Sequence, residues 1–126
     1  MAAAADLTLK NNAAVNVTFN VYSVETDRVE WVESGATSIL GTSRAVLSRK
    51  IPADKANGVY RIGSKLTRPV VNATTGALDG VLTGTCEILR PAKLSVTEVD
   101  EFVARWAELM KQTVLKSAAE TGAIPT

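Results

Sequence analysis

Seven cationic side chains fall between Arg44 and Arg68, namely Arg44, Arg49, Lys50, Lys55, Arg61, Lys65 and Arg68, against the single acid Asp54. This segment carries +6, and the rest of the chain carries −5. A dense row of such donors suits the binding of phosphate. If the segment is one long hairpin, strand alternation puts Arg44, Val46, Ser48 and Lys50 on one face, beside Arg61, Gly63 and Lys65. Thr83, Thr85 and Glu87 on a following strand would extend that face with hydroxyls and a carboxylate. Those groups can read base edges or a ribose 2′-hydroxyl, whereas Lys and Arg mainly hold the backbone. An ordinary solvated sheet face uses the same residue types, so composition is compatible with either reading.

Other chemistries lack their residues. The chain has no histidine, hence no triad and no His-based zinc site, and its one cysteine, Cys86, cannot form an internal disulfide. No nucleophile stands with a base, and there is no phosphate-binding glycine loop or metal constellation. No enzymatic activity and no cofactor are therefore expected. Glu98, Asp100 and Glu101 suit a helix start, where the macrodipole favours negative charge. Trp31 and Trp106 fit packing, and Cys86 fits a small buried apolar position. Asn72-Ala73-Thr74 matches a glycosylation sequon, but with no secretory signal the match is read as chance.

The elements that must position the basic face follow from periodicity. At 126 residues, 46% hydrophobic, the chain fits one domain over 1–126, and its overall charge of +1 hides the segregation of its ions. No apolar run approaches the roughly 20 residues needed to cross a bilayer, and no signal peptide is apparent, so a soluble protein of a reducing compartment is expected. Period-two alternation dominates residues 7–89. Val15, Val17, Phe19 and Val21 alternate with Asn16, Thr18, Asn20 and Tyr22, the clearest strand, and a hairpin through Asn11-Asn12 is expected before it, within residues 1–23. Antiparallel strands then fill 24–90. They include a short strand at Val29, Trp31 and Val32, then 40–51, 59–67 and 81–89. Pro69 should break the fourth of the five main strands and open a long loop over 69–80.

At Pro91 the period changes. Ser95 and Glu98 have capping-box spacing, with Thr97 a second candidate cap. Val99, Phe102, Val103, Trp106, Leu109 and Met110 form an apolar helical stripe within 95–120. A break is expected near Thr113, and Gly122 with Pro125 closes the segment. The fold class is α+β, with strands first and two helices last. One helical hairpin covers only part of such a sheet, and its edges present unpaired backbone groups. A dimer that joins sheets edge to edge and crosses its helices onto the partner would solve both problems.

Several segments together resemble the coat proteins of the small single-stranded RNA bacteriophages. These are Val29-Glu30-Trp31-Val32-Glu33-Ser34, the basic hairpin with Tyr60 in its second strand, Glu87-Ile88-Leu89-Arg90-Pro91, and Ser95-Val96-Thr97-Glu98 ahead of Phe102-Val103. The resemblance spans nearly the whole chain. It implies an interlocked dimer with a continuous sheet, assembled in the bacterial cytoplasm into the icosahedral shell of a virion. It also implies that the inner sheet face binds a viral RNA hairpin, selecting the genome and repressing translation of the replicase. By position, Ser48, Lys50, Arg61, Lys65, Thr85 and Glu87 resemble the RNA-facing residues, with Arg44 and Val46 nearby. Val46 stands where relatives place a hydroxyl in an adenine pocket, and Thr83 where several place a base-stacking tyrosine. A one-residue slip of the last strand would present Gly84 or Cys86 in place of Thr85. The 69–80 loop resembles one that changes conformation around the shell. A dimeric nucleic-acid-binding domain outside any shell fits the same residue pattern.

Overall fold

The computed structural model describes residues 4–35 and 39–124. Six strands form one antiparallel meander in sequence order: β1 (Leu7–Lys10), β2 (Asn16–Val24), β3 (Arg28–Glu33), β4 (Arg44–Lys50), β5 (Val59–Val71) and β6 (Leu78–Pro91). Two helices follow, α1 (Val96–Met110) and α2 (Thr113–Thr121). This is the expected α+β plan of hairpin, sheet and two C-terminal helices.

Local chemistry sets the joints. Asn11 turns the first hairpin, its side-chain oxygen accepting from the N–H groups of Ala13 and Val15 at 2.9 and 3.0 Å. In the turn between β4 and β5, the Asp54 carboxylate accepts from the N–H groups of Ala56 and Asn57, each at 3.1 Å. The Asn57 and Ala56 backbone donors hold the Asp54 carboxyl below the usual carboxylate range. The ionised form is the one the fold favours, so this contribution is present above the unfolded value and is lost as pH falls through the lowered one. Ser95 caps α1, its hydroxyl accepting from the Glu98 N–H at 3.3 Å, and Gly122 ends α2 with φ +74°. Pro125, the other expected stop, lies outside the described residues.

Two boundaries differ from expectation. The strand predicted over 40–51 is regular only from Arg44 to Lys50. The 69–80 loop contracts to residues 72–77, because β5 continues through Pro69, which pairs with Val81. Proline is tolerated there because the β4 partner row ends at Arg44↔Thr67, so the missing N–H of Pro69 faces no strand. The remaining connection is a tight turn, in which Asn72 Oδ1 accepts from the N–H groups of Thr74 and Thr75 at 2.8 and 3.1 Å.

The apolar side of the sheet carries Phe19, Val21, Trp31, Leu47, Ile62, Leu66 and Ile88, brought together by register. Phe19 and Trp31 are its buried centre, and the Trp31 indole N–H donates to the Ala5 carbonyl at 2.9 Å. Leu66 is still 44% exposed, and the predicted α1 stripe is open as well, with Phe102 50% exposed. Every substantial contact between elements joins neighbouring strands, and neither helix packs substantially on the chain's own sheet.

The β4–β5 turn gives a direct check. A Cβ at Gly58 would lie 2.5 Å from both the Asp54 carbonyl oxygen and Pro52 Cβ, whereas one at Gly80 meets nothing within 4 Å. Gly58→Ala should cost about 1–3 kcal/mol in thermal or denaturant unfolding, as overpacking does. Gly80→Ala should stay within about 0.5 kcal/mol of the parent chain.

Candidate nucleic-acid interface

The opposite side of the sheet is fixed by the same ladder. β3 presents Arg28, Glu30 and Val32 opposite Ser48, Val46 and Arg44 of β4. β4 then sets Val46 against Lys65, Ser48 against Gly63 and Lys50 against Arg61. β5 sets Gly63 against Glu87, Lys65 against Thr85 and Thr67 against Thr83. Every residue expected on this face (Arg44, Val46, Ser48, Lys50, Arg61, Lys65, Thr83, Thr85 and Glu87) therefore has the same parity. The alternative register, with Gly84 or Cys86 in that row, is excluded by the pairing of Cys86 with Ser64 on the other side.

The centre of this face is a shallow concavity of ≈ 630 Å³, whose walls include Arg28, Glu30, Arg44, Lys50, Arg61, Lys65, Thr85 and Glu87. Its floor is open because position 63 has no side chain. A Cβ there would sit 3.1 Å from Ser48 Oγ. Thr83 has the correct parity but lies outside the concavity's lining.

The +6 of the hairpin is not delivered whole to this face. Arg49 pairs across from Ile62, and Arg68 across from Leu82, so both carry the opposite parity. Arg49 is tied to Asp27, its Nε donating to Oδ1 at 2.9 Å. Lys55 lies in the turn. The face gains Arg28 instead, which sequence reading passed over together with Glu30 although both alternate with Val29 and Trp31.

Two carboxylates organise the guanidinium groups. Glu30, whose side chain is only 12% exposed, accepts from Arg44 at 3.0 Å through one oxygen and from Arg28 at 3.3 Å through the other. Glu87 accepts from Arg61 at 2.9 Å. Among the described residues Lys50 and Lys65 form no ion pair. The face thus holds two lysines ready for an incoming anion and three arginines fixed in place by acids. Charge-assisted pairs of this kind fix planar groups in direction, which suits recognition of phosphate or of base edges. Tyr22 completes the border, with the Arg44 guanidinium carbon 5.4 Å from its ring centre.

No protein-family model matches the chain, and no curated protein sequence matches it. Solved structures do. The virus-like particle of Beihai levi-like virus 21 superposes with a TM-score of 0.84 at 22% identity, covering 97% of each chain. The virus-like particle of bacteriophage ESE058 also gives 0.84, at 16% identity over 99% of this chain and 100% of that one. An unassembled virus coat protein dimer, described as a bacteriophage RNA-binding dimer, gives 0.69 at 16% identity over 97% of each chain. At these identities the common property is the fold, and the fold is that of levi-like virus and bacteriophage coat proteins. The resemblance carried by the sequence segments is met again in three dimensions.

The geometry around Glu30 predicts its own test. Glu30→Gln leaves Arg28 and Arg44 together without a counter-charge, so the chain should lose about 1 kcal/mol of stability at low salt. Added salt should recover part of that loss in denaturant unfolding. Equal stability of the two proteins across the salt range would contradict the bridging role.

Proposed function

We propose that this chain is a capsid protein that forms dimers, assembles from them into the icosahedral shell of a virion, and binds single-stranded viral RNA on its basic sheet face. The observation that carries the reading is the near-complete structural likeness to shell-forming coat proteins, across 97% of both chains in the case of the levi-like particle. Two features of this chain support the dimer. Outside the buried pair Phe19 and Trp31, large apolar residues of the sheet side and of α1 and α2 stay half-exposed among the described residues, and β6 is a 14-residue edge strand with an unpaired outer side. A second copy supplies both missing partners. Antiparallel pairing of the two β6 edges gives a continuous sheet, and helices crossed onto the partner cover the apolar side.

The basic side then faces the interior. There Lys50 and Lys65 hold phosphate, Arg44 and Arg61 add oriented donors, and Ser48, Thr85 and Glu87 supply groups for bases and sugars, with Val46 and Thr83 in the same rows. A hairpin bound on this face would be selected for packaging, and binding of a hairpin at the replicase start would repress its translation. The shell forms in the bacterial host cytoplasm.

Particles of uniform size should appear when the full chain is expressed, purified and inspected by electron microscopy and light scattering. Only monomers or dimers under every assembly condition would overturn the shell reading. In RNA binding, Lys50→Ala should weaken affinity severalfold and reduce the slope of log affinity against log salt by about one. Arg61→Ala should weaken it more, because it also strands the Glu87 carboxylate on the face, and Glu87→Gln should tighten it. Unchanged affinity and slope in both alanine variants would reduce the face to a solvated surface. Replacing residues 73–77 with a short linker should leave dimers intact while altering particle size or yield.

A further inference from the structure

Tyr22 is the one aromatic side chain on the basic side of the sheet among the described residues. Phe19 and Trp31 are buried on the other side, and Tyr60, paired with Arg90, also has the opposite parity. Tyr22 is 65% exposed. Alternation from Asn20, which pairs with Val32, puts it on this side, and the pairing of β2 with β3 shifts in a β-bulge at this point, between Val21 and Ser23. The bulge is pinned beside it, where the Val21 N–H donates to the Asp6 carboxylate at 2.9 Å, a bond that takes over beyond the end of β1. The shift brings Ser23, paired with Glu30, onto the same side as Tyr22.

The neighbours of the ring restrict what it can serve. The Arg44 guanidinium lies 5.4 Å from the ring centre and is itself held by Glu30 at 3.0 Å, with Arg28 on the other oxygen of Glu30. The exposed ring thus carries a fixed cation over one of its faces, which leaves the other for a ligand, at the edge of a basic concavity. An apolar protein segment would have to desolvate these charges to cover the ring. A nucleotide carries the matching pair of groups, an anion and a flat ring joined by a short sugar.

We propose that Tyr22 is a stacking platform for an unpaired base of single-stranded RNA, with Arg44 holding the phosphate or sugar beside that base. The proposal rests on the RNA-binding reading of this face and adds a subsite to it. Bases inside a duplex have their faces covered by neighbouring bases, so the ligand at Tyr22 is a single-stranded or bulged nucleotide.

The test uses the full-length protein kept as unassembled dimers, in which the basic face is open to solvent, and oligoribonucleotides that carry 2-aminopurine at one unpaired position, moved stepwise along the strand. Wild type and Tyr22→Phe should bind with similar affinity and quench the fluorophore at one position. Tyr22→Ala and Tyr22→Leu should lose that quenching and bind about tenfold more weakly. Their salt slope should not change, because no cation is removed. An abasic nucleotide at the same position should weaken wild type to the level of Tyr22→Ala and leave Tyr22→Ala unaffected. Thermal unfolding of the variants controls for folding, which an exposed side chain should leave intact.

If all four proteins bind and quench alike while Lys50→Ala weakens binding, the face binds RNA and the stacking proposal is overturned. A change in particle yield with no change in oligonucleotide affinity overturns it too, and assigns Tyr22 to contacts between proteins. If no variant, nor the wild type, binds RNA in a salt-dependent way, the underlying reading fails along with it.

Discussion

The ladder joining β3, β4, β5 and β6 sorts the chain's side chains into two incompatible surfaces, and every other property depends on its register. Successive residues of a strand point to opposite sides, so a slip of one residue would carry Lys65 and Arg61 onto the apolar side and Leu66 and Ile62 into the basic concavity. Long, uninterrupted pairing makes such a slip costly. β5 and β6 remain in register from Val59↔Pro91 to Val70↔Gly80, and β4 adds seven paired positions on the other side of β5. Irregularity is confined to the far end of that pair, at Val70 and Val71, and to the bulge that carries Tyr22.

Each surface is unstable alone for a different reason. Beyond Phe19 and Trp31, the apolar side is left half-exposed. A half-exposed large apolar residue forgoes about 1 kcal/mol of burial free energy, and the many such residues on the sheet and helices together approach the whole stability of an ordinary domain, about 5–15 kcal/mol. The basic side faces mutual repulsion of cations on adjacent strands, about 1 kcal/mol per close pair in water. Glu30 and Glu87 offset this within the face. The same two acids set the terms for any anionic ligand, which must either use Lys50 and Lys65 or share the arginines with carboxylates already bonded to them. They favour a ligand with polar groups placed to meet oriented guanidinium groups over one that offers charge alone.

Much of this was legible in the sequence because alternation is a local signal. The parity of Arg44, Val46, Ser48 and Lys50, of Arg61 and Lys65, and of Thr83, Thr85 and Glu87 follows from counting along each strand, and the observed register agrees at every one. What alternation does not carry is pairing. That Pro69 sits inside a strand depends on where the neighbouring β4 stops, which is a property of another segment. That Arg49 and Arg68 leave the basic face was available from parity, but the segment's total charge masked it. The sharing of Glu30 between Arg28 and Arg44 requires three residues from two strands, and spacing within one strand does not reveal it. Tyr22 was visible as an aromatic on the polar side of β2, yet its bulge lacks the glycine or proline that marks most such features.

The two surfaces are sides of one backbone sheet, and that couples them. The rows of the basic side keep their spacing only while β4, β5 and β6 hold their twist, and packing on the apolar side is what resists flattening or fraying of those strands. In the proposed dimer, cover for that side arrives with the second copy, so the anion-binding geometry and the subunit contact are stabilised together. A ligand that binds only the ordered face must then favour the dimer by the same factor that dimerisation favours the ligand, because linkage is reciprocal. RNA would act in that case as an assembly partner without touching the subunit interface. The near-neutral total charge of the chain fits this arrangement. Acids on the other segments keep the subunit as a whole close to neutral, which would limit repulsion between copies packed side by side in the proposed shell, while the sheet face retains an excess of cations.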